Sequence, residues 1–223
     1  MKKHIIMFGA ALLATGSVAS AQNIFNNPDN KAYFGARVGV DITCPGEISS
    51  DGLGIDMFKN GAGIEFGGIY NIPVVANFYV EPGVKLFYDT YSMKKQFIEL
   101  LEEDIRLDGV SIRKFGMRVP VMLGYRFDFT RDISVSVFTG PELEVGFSGK
   151  THISGRNISM SESVYGDGGG MHRVNLLWDF GASVSYKQCY LGINGGIGML
   201  NINSESDPTF HESRVTIALG YNF

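Results

Sequence analysis

The stretch "RVTIALGYNF", Arg214 to Phe223, carries the clearest strand pattern of the chain. Every second residue from Val215 to Phe223 is apolar, and the residues between them are Thr, Ala, Gly and Asn. Strict alternation of this kind is typical of a β-strand with one apolar face. Because an apolar strand with an unpaired edge promotes aggregation, we expect this strand to be paired on both sides. A sheet closed into a barrel, with its last strand paired to its first and its apolar face in lipid, meets that need.

The N-terminal residues have the pattern of a secretory signal peptide. Lys2 and Lys3 precede an apolar run from Ile5 to Leu13, and Ala19-Ser20-Ala21 forms an A-x-A cleavage site. This run is far shorter than the roughly 20 residues of a membrane-spanning helix. The expected division of the chain is a signal peptide at 1–21, a periplasmic segment at 22–31 and an outer-membrane barrel domain at 32–223.

Composition indicates one all-β domain. The chain has 29 Gly, 16 Phe and 10 Tyr but only one Trp, which suits many short strands. The formal net charge is -4 and no cluster of Lys and Arg is present, so we expect no nucleic-acid partner.

Eight segments alternate with a period of two residues, and each is long enough to cross a membrane as a tilted strand. They run at about 32–43, 62–71, 77–91, 112–127, 133–148, 175–187, 189–201 and 213–223. The connections are alternately long and short, the short ones being "NIPVVA", "DFTRD" and "YKQC". Short periplasmic turns and long extracellular loops are typical of an outer-membrane barrel, so the predicted fold is an eight-stranded antiparallel up-and-down transmembrane β-barrel.

The two faces of these strands differ in charge. One face is apolar, and the other carries six basic and six acidic residues together with many glycines. We expect these charges to pair with one another in a polar lumen, because buried ions need partners. The alternative is a soluble lipocalin-like carrier, in which the charged face meets water and an apolar cavity holds a ligand. The predicted lumen charges are Arg37, Asp41, Glu65, Glu81, Lys85, Lys114, Arg118, Arg126, Glu142, Glu144, Asp179 and Arg214.

Aromatic residues gather at the predicted periplasmic ends of the strands, where a membrane barrel carries an interfacial girdle. A soluble barrel has no need of such a ring, so this pattern favours the membrane. The predicted girdle is Phe34, Tyr70, Phe78, Tyr125, Phe127, Tyr186, Tyr221 and Phe223.

Motifs that suggest chemistry are weak. "GINGGIG", Gly192 to Gly198, lies within a strand and lacks the helix that follows a dinucleotide loop. His152, His172 and His211 are expected in long loops that converge on the outer surface, where a metal site or a His-based acyl-transfer site is the alternative. Ser, Asp and Glu are so abundant in these loops that chance proximity explains the pattern, and we expect no metal site and no catalytic residue there.

The segment 93–107, "MKKQFIELLEEDIRL", has apolar residues at helical spacing within a long loop. Two interpretations remain open: a helix that caps the barrel or docks a partner, and a helix that folds back on neighbouring loops. Cys44 and Cys189 are expected at opposite ends of the barrel, ~30 Å apart at about 3.3 Å per residue, and therefore unpaired.

Several stretches resemble the PorT-like outer-membrane β-barrel family of Gram-negative bacteria: "YFGARVGVDIT", "YVEPGVKLFY", "RVPVMLGYRF", "VFTGPELEVGF", "DFGASVSY" and "LGYNF". The resemblance covers nearly the whole mature chain, and its Gly and aromatic patterns specify a fold better than an activity. It implies a single-domain barrel. One branch of the family is associated with protein secretion and gliding, and nothing in the sequence assigns the chain to that branch.

We therefore expect a monomer in the outer membrane with a structural or surface-interaction role such as adhesion, envelope integrity or docking of envelope components. It is expected to be no enzyme, to need no cofactor, to contact outer-membrane lipid and the barrel-insertion machinery, and to meet any protein partner at its extracellular loops. The alternatives are a narrow passive channel, a lipid-modifying outer-membrane enzyme and the soluble carrier.

Overall fold

Strands with alternating apolar and polar side chains form the wall of a closed barrel in the computed structural model. The structure describes residues 31–50, 53–100, 107–155, 158–166, 169–205 and 207–223. The predicted signal peptide and all but the last residue of the predicted periplasmic segment lie outside these residues. In chain order the elements are β1 (Tyr33–Pro45), β2 (Ile48–Ser50), β3 (Leu53–Ile55), β4 (Gly61–Val75), β5 (Phe78–Ser92), α1 (Lys95–Leu100), β6 (Leu107–Asp128), β7 (Ile133–Gly155), β8 (Ile158–Ser163), β9 (Val174–Tyr186), β10 (Cys189–Gly198) and β11 (Glu212–Asn222).

Eight of these strands form an antiparallel ring in the order β6-β5-β4-β1-β11-β10-β9-β7, and β6 pairs with β7 to complete it. The ring closes between β1 and β11, where Gly35 lies opposite Asn222 and Pro45 opposite Glu212. The Phe223 N–H also donates to the Phe34 carbonyl over 2.8 Å. The prediction of an eight-stranded up-and-down transmembrane barrel is confirmed.

Short connections lie at one end of the barrel, which we call the turn end. Ala76 and Lys187 adopt positive φ values of 49° and 54° there, as tight reversals require. The predicted boundary of β4 at Asn71 is wrong, because the strand continues to Val75 with an irregularity between Pro73 and Val75. Proline has no N–H to give to the ladder, so the strand adjusts its register and continues instead of stopping.

Long connections lie at the opposite end, the loop end, and several are structured. Strands β2 and β3 form a small hairpin, and β8 pairs with the outer part of β7. Strands β6 and β7 are 22 and 23 residues long, so they extend well beyond the roughly 9 to 11 residues that cross a membrane. Within the described part of the chain, no helix is long and apolar enough to cross a membrane.

Side chains on the two faces of the ring meet different surroundings. Large apolar residues such as Val40, Phe66, Leu123 and Ile217 are exposed on the outer face, while charged residues are buried inside. The soluble-carrier alternative is wrong, because such a carrier needs an apolar cavity and a charged outer wall. An apolar outer wall around a polar interior is the arrangement of a barrel in lipid.

Candidate functional site

The centre of the lumen is filled by a connected set of ion pairs around Arg118 of β6. Its side chain is 1% exposed. Its guanidinium contacts Asp41 at 2.7 Å and Glu65 at 3.1 Å. It also contacts Asp89 at 2.5 Å and Glu144 at 2.9 Å. One arginine thus joins four carboxylates that β1, β4, β5 and β7 direct into the same small volume.

Three further cations extend this network. Arg214 of β11 donates to Glu142 over 2.6 Å and to Asp179 over 3.4 Å. Lys85 donates to Glu65 over 2.8 Å. The third cation, Lys114, is paired with Glu144 and Glu212.

Together these residues form the ion-pair network: Asp41, Glu65, Lys85, Asp89, Lys114, Arg118, Glu142, Glu144, Asp179, Glu212 and Arg214.

The expected balance of six basic and six acidic side chains is not met in the described lumen, because Asp89 and Glu212 also face inward and raise the six predicted acidic side chains to eight. The ion-pair network itself contains seven carboxylates and four cations, since Arg37, Arg126 and Glu81 lie outside it at the turn end. The sequence held a signal for both, since Asp89 is an even number of residues from Lys85 and Glu212 stands two residues before Arg214. The excess of negative charge makes this interior unfavourable for an anion.

Two of the predicted lumen charges, Arg37 and Glu81, lie at the turn end and contact neutral side chains. Arg37 stacks on the Tyr190 ring, with its guanidinium carbon 3.8 Å from the ring centroid, and donates to Asn222 over 2.8 Å. Glu81 accepts a hydrogen bond from Asn71 over 2.9 Å.

Arg126, the remaining predicted lumen charge, donates to Asn71 over 3.2 Å and to the Tyr33 hydroxyl over 3.1 Å. It lies beside a recess of about 440 Å³ at the turn end, which is also lined by Ser185 and Gln188. The turn end therefore holds an open recess, and the ion-pair network lies further along the strands towards the loop end.

Buried aromatic rings fill much of the remaining lumen, and the sequence interpretation missed them. Tyr79, Phe87 and Tyr91 are buried, and the Arg118 guanidinium carbon lies 4.0 Å from the centroid of Phe87. The rings lie at alternate positions with Glu81 and Lys85, so their inward orientation follows from the strand period. Glycines make room for these rings at Gly116 and Gly124, where an added Cβ would collide with the Phe87 and Tyr79 rings.

The loop end is covered by a packed apolar cluster, which we call the cap. It consists of Tyr91, Ile112, Val164 and Tyr165, with Phe58 and Met171 against it. The ring centroids of Phe58 and Tyr91 are 5.4 Å apart in an edge-to-face arrangement. Desolvation by burial raises the pKa of Tyr165, a loop residue, to about 12.

Helix α1 is shorter in the described residues than the predicted segment 93–107. The Ile98 side chain of this helix is buried. Lys94, the residue before the helix, donates its backbone N–H to the Met57 carbonyl in the β3–β4 loop over 2.9 Å. These contacts fit a helix that folds back on its neighbours. Residues 101–106 of the predicted segment lie outside the description.

The predicted girdle residues lie at the turn end on the outer face. Phe34 and Tyr70 stack with centroids 4.5 Å apart, and Tyr125 contacts both Phe78 and Phe127 at 4.7 and 4.8 Å. Tyr186 is exposed, and Tyr221 packs on Phe223 at 5.1 Å.

The remaining candidates are dispersed. His152 lies in β7, whereas His172 and His211 lie in different loops. No group of three His, Cys, Asp or Glu side chains that could hold a metal occurs among the described residues. Cys44 and Cys189 are both free, at opposite ends of the barrel, as expected.

Comparison with known proteins returned solved barrels. No family model matches the chain, and no curated protein sequence matches it. The outer membrane protein Ail of Yersinia pestis is 13% identical with a TM-score of 0.47, covering 87% of this chain and 100% of Ail. Neisserial surface protein A is 9% identical with a TM-score of 0.46, covering 87% of this chain and all (100%) of that protein. The outer membrane protein OprG of Pseudomonas aeruginosa is 12% identical with a TM-score of 0.42, covering 86% and 95%. These structural neighbours are outer-membrane β-barrel proteins.

Proposed function

We propose that the protein is an outer-membrane barrel whose structural or surface-interaction role is carried by its loop end. The observation that supports this role most directly is the division of the molecule into a filled centre and an ordered outer surface. The ion-pair network fills the lumen, whereas the loop end is built of β2, β3, α1, β8 and the cap.

The filled centre argues against the passive-channel alternative. An eight-stranded barrel has an interior just wide enough for side chains to occupy. Here Arg118 and its four carboxylates span that width, and opening a path would break several buried ion pairs at once. We therefore expect no steady conductance, and purified protein in planar bilayers should give no discrete channel openings.

The loop end presents apolar side chains that the cap leaves uncovered. Leu53 is 76% exposed and Ile55 49% exposed on the β2–β3 hairpin. This hairpin is held by the backbone hydrogen bonds between Ser49 and Thr209, so its exposed side chains stand on a supported element. Exposed apolar residues on a fixed loop are typical of a contact surface for another macromolecule.

We further propose that the chain belongs to the PorT-like barrels and leaves the cytoplasm through its signal peptide. It folds with the barrel-insertion machinery and acts as a monomer without enzymatic activity. Mass spectrometry of the membrane-extracted protein should then find a mature chain that begins at Gln22.

Site-specific photo-crosslinking in intact cells tests the surface role. A photoreactive phenylalanine analogue at Leu53 should give a defined crosslinked product, and Leu53→Asp should prevent the corresponding association. The same analogue at Phe129, which is exposed at the turn end, is the matched control and should not give this product. If position 53 gives no product beyond that of position 129, the loop surface has no stable partner and the proposal fails.

A further inference from the structure

Two basic side chains face each other on the outer wall of the barrel, near the loop end. Arg113 of β6 lies directly opposite Lys150 of β7, and both are exposed. They alternate with inward-facing residues, since Ile112 and Lys114 on either side of Arg113 are buried. The two cations therefore share the outer, lipid-side face of the wall.

The exposed aromatic residues nearby indicate where the two cations lie along the barrel axis relative to the bilayer. Phe115 and Phe147 are exposed by 40% and 47%, and their ring centroids are 5.9 Å apart. From Phe127 in the girdle to Phe115, β6 advances twelve residues. At about 3.3 Å per residue and a tilt of about 40°, this spans ~30 Å, which is the thickness of a bilayer's hydrocarbon layer. Arg113, two residues further, therefore lies at the level of the lipid headgroups.

Among the described residues, the pair has no carboxylate counter-ion. Like charges directly opposite on a sheet destabilise it unless something compensates them. In the described ranges, neither Arg113 nor Lys150 forms an ion pair with a carboxylate. The neighbours on this face are neutral or basic, because Ser163 lies opposite Lys150, and His152 lies opposite both Ser111 and Ser161.

We propose that this basic patch, formed by Arg113, Lys150, His152 and Ser161, binds the phosphate group of an anionic lipid in the surrounding leaflet. Arg and Lys bind phosphate oxygens through charge-assisted hydrogen bonds, and the Ser161 hydroxyl adds a neutral donor. The Ser163 hydroxyl already donates to the Tyr165 carbonyl over 2.8 Å. Phe115 and Phe147 lie directly below, where the lipid's acyl chains begin. The apolar band and the uncompensated charge thus fit one molecule with a phosphate head and an apolar tail. This inference rests on the membrane position of the barrel and goes beyond its surface role.

Native mass spectrometry of the detergent-solubilised, full-length folded protein tests this proposal, with diphosphoryl lipid A as the probe. The variant Arg113→Gln/Lys150→Gln should bind about fivefold more weakly per removed charge, or roughly 25-fold in total. The matched control Arg131→Gln/Lys187→Gln removes two exposed cations at the turn end and should bind within about twofold of the original protein. Where the double variant fails to fold, as judged by heat-dependent mobility, each single variant should show the fivefold loss.

Two further binding measurements identify the ligand. Lipid A without its phosphates should bind much more weakly than the phosphorylated form, and an equal concentration of inorganic phosphate should not displace the lipid. Unchanged binding by the double variant, or equal binding of the dephosphorylated lipid, would overturn the proposal. Displacement by inorganic phosphate would show a free-anion site in place of a lipid site. None of these measurements depends on a partner at Leu53, so each proposal can fail without the other.

Discussion

Arg118 of β6 donates a hydrogen bond to Asp41 of β1 over 2.7 Å, although these strands are not neighbours in the ring. The bond therefore crosses the lumen and joins two parts of the wall that share no backbone hydrogen bonds. Because Arg118 also holds Glu65, Asp89 and Glu144, it ties several strands to one point. Backbone ladders hold adjacent strands together, and this arginine fixes the cross-section of the barrel.

The first prediction concerns this arginine. Arg118→Met keeps much of the side-chain volume but leaves four buried carboxylates without their shared partner. We expect a loss of about 3–5 kcal/mol in the free energy of unfolding, because an uncompensated buried charge is costly. Urea unfolding in detergent, followed by the mobility difference between heated and unheated samples, measures it. Arg131→Met, at an exposed turn residue, is the control and should stay within about 0.5 kcal/mol. Equal stability of the two variants would mean that the ion-pair network does not brace the barrel.

The second prediction compares two glycines. Gly124→Ala places a methyl group against the buried Tyr79 ring, so it should lower the free energy of unfolding by about 1–3 kcal/mol. Gly68→Ala is the matched control, because its added methyl group points outward and its nearest neighbour is the Gly35 carbonyl oxygen at 3.7 Å. The same unfolding assay should find Gly68→Ala close to the original protein. Similar losses for both would contradict close packing of Tyr79 in the lumen.

The third prediction concerns the orientation of the barrel. In a Cys44→Ser background, Cys189 at the turn end should react with a membrane-impermeant maleimide only after the cells are opened. Adding Asn60→Cys, at an exposed position of the β3–β4 loop, should create a site that reacts in intact cells. The opposite labelling pattern would place the long loops in the periplasm. Untreated samples of the original protein, which keeps both cysteines, should show no intramolecular disulfide between Cys44 and Cys189.

The fourth prediction concerns the cap. Burial raises the pKa of Tyr165 to about 12, above the value of about 10 for an exposed tyrosine. The contribution of neutral Tyr165 to stability is therefore complete below about pH 10 and is lost as the pH rises through about 12. The ultraviolet difference spectrum between the original protein and Tyr165→Phe should show one phenol ionising near pH 12. A step near pH 10 would mean that the cap admits water.

The ring was predictable because the sequence repeats one physical requirement eight times. In lipid every backbone group must be paired and every outward side chain must be apolar, so the strands carry an unbroken alternation. The pairing of the segment near Gly35 with the segment near Phe223 followed from the need to close the sheet. The two-residue alternation of the strands was enough to predict that residues such as Arg118 and Glu142 face the lumen.

The parts that the sequence did not reveal lie where this requirement weakens. The ends of β6 and β7 near the loops extend beyond the membrane. Ser111 and Ser154 therefore stand where apolar residues would otherwise face lipid, and the apolar alternation ends there. The buried rings of Phe87 and Tyr79 were missed because an aromatic residue is compatible with either face. The two-residue alternation of β5 also assigns Asp89 to the lumen, but the expectation of balanced charge gave no reason to look for another carboxylate.

The pairing of β1 with β11 also determines when the protein becomes stable. Gly35 and Asn222 are separated by almost the whole described chain, yet their strands must meet before either has two neighbours. Until β11 arrives, a partly assembled sheet has two open edges that lipid does not satisfy. We therefore expect insertion and closure of the barrel to be one cooperative event, completed only when the last strand is in place.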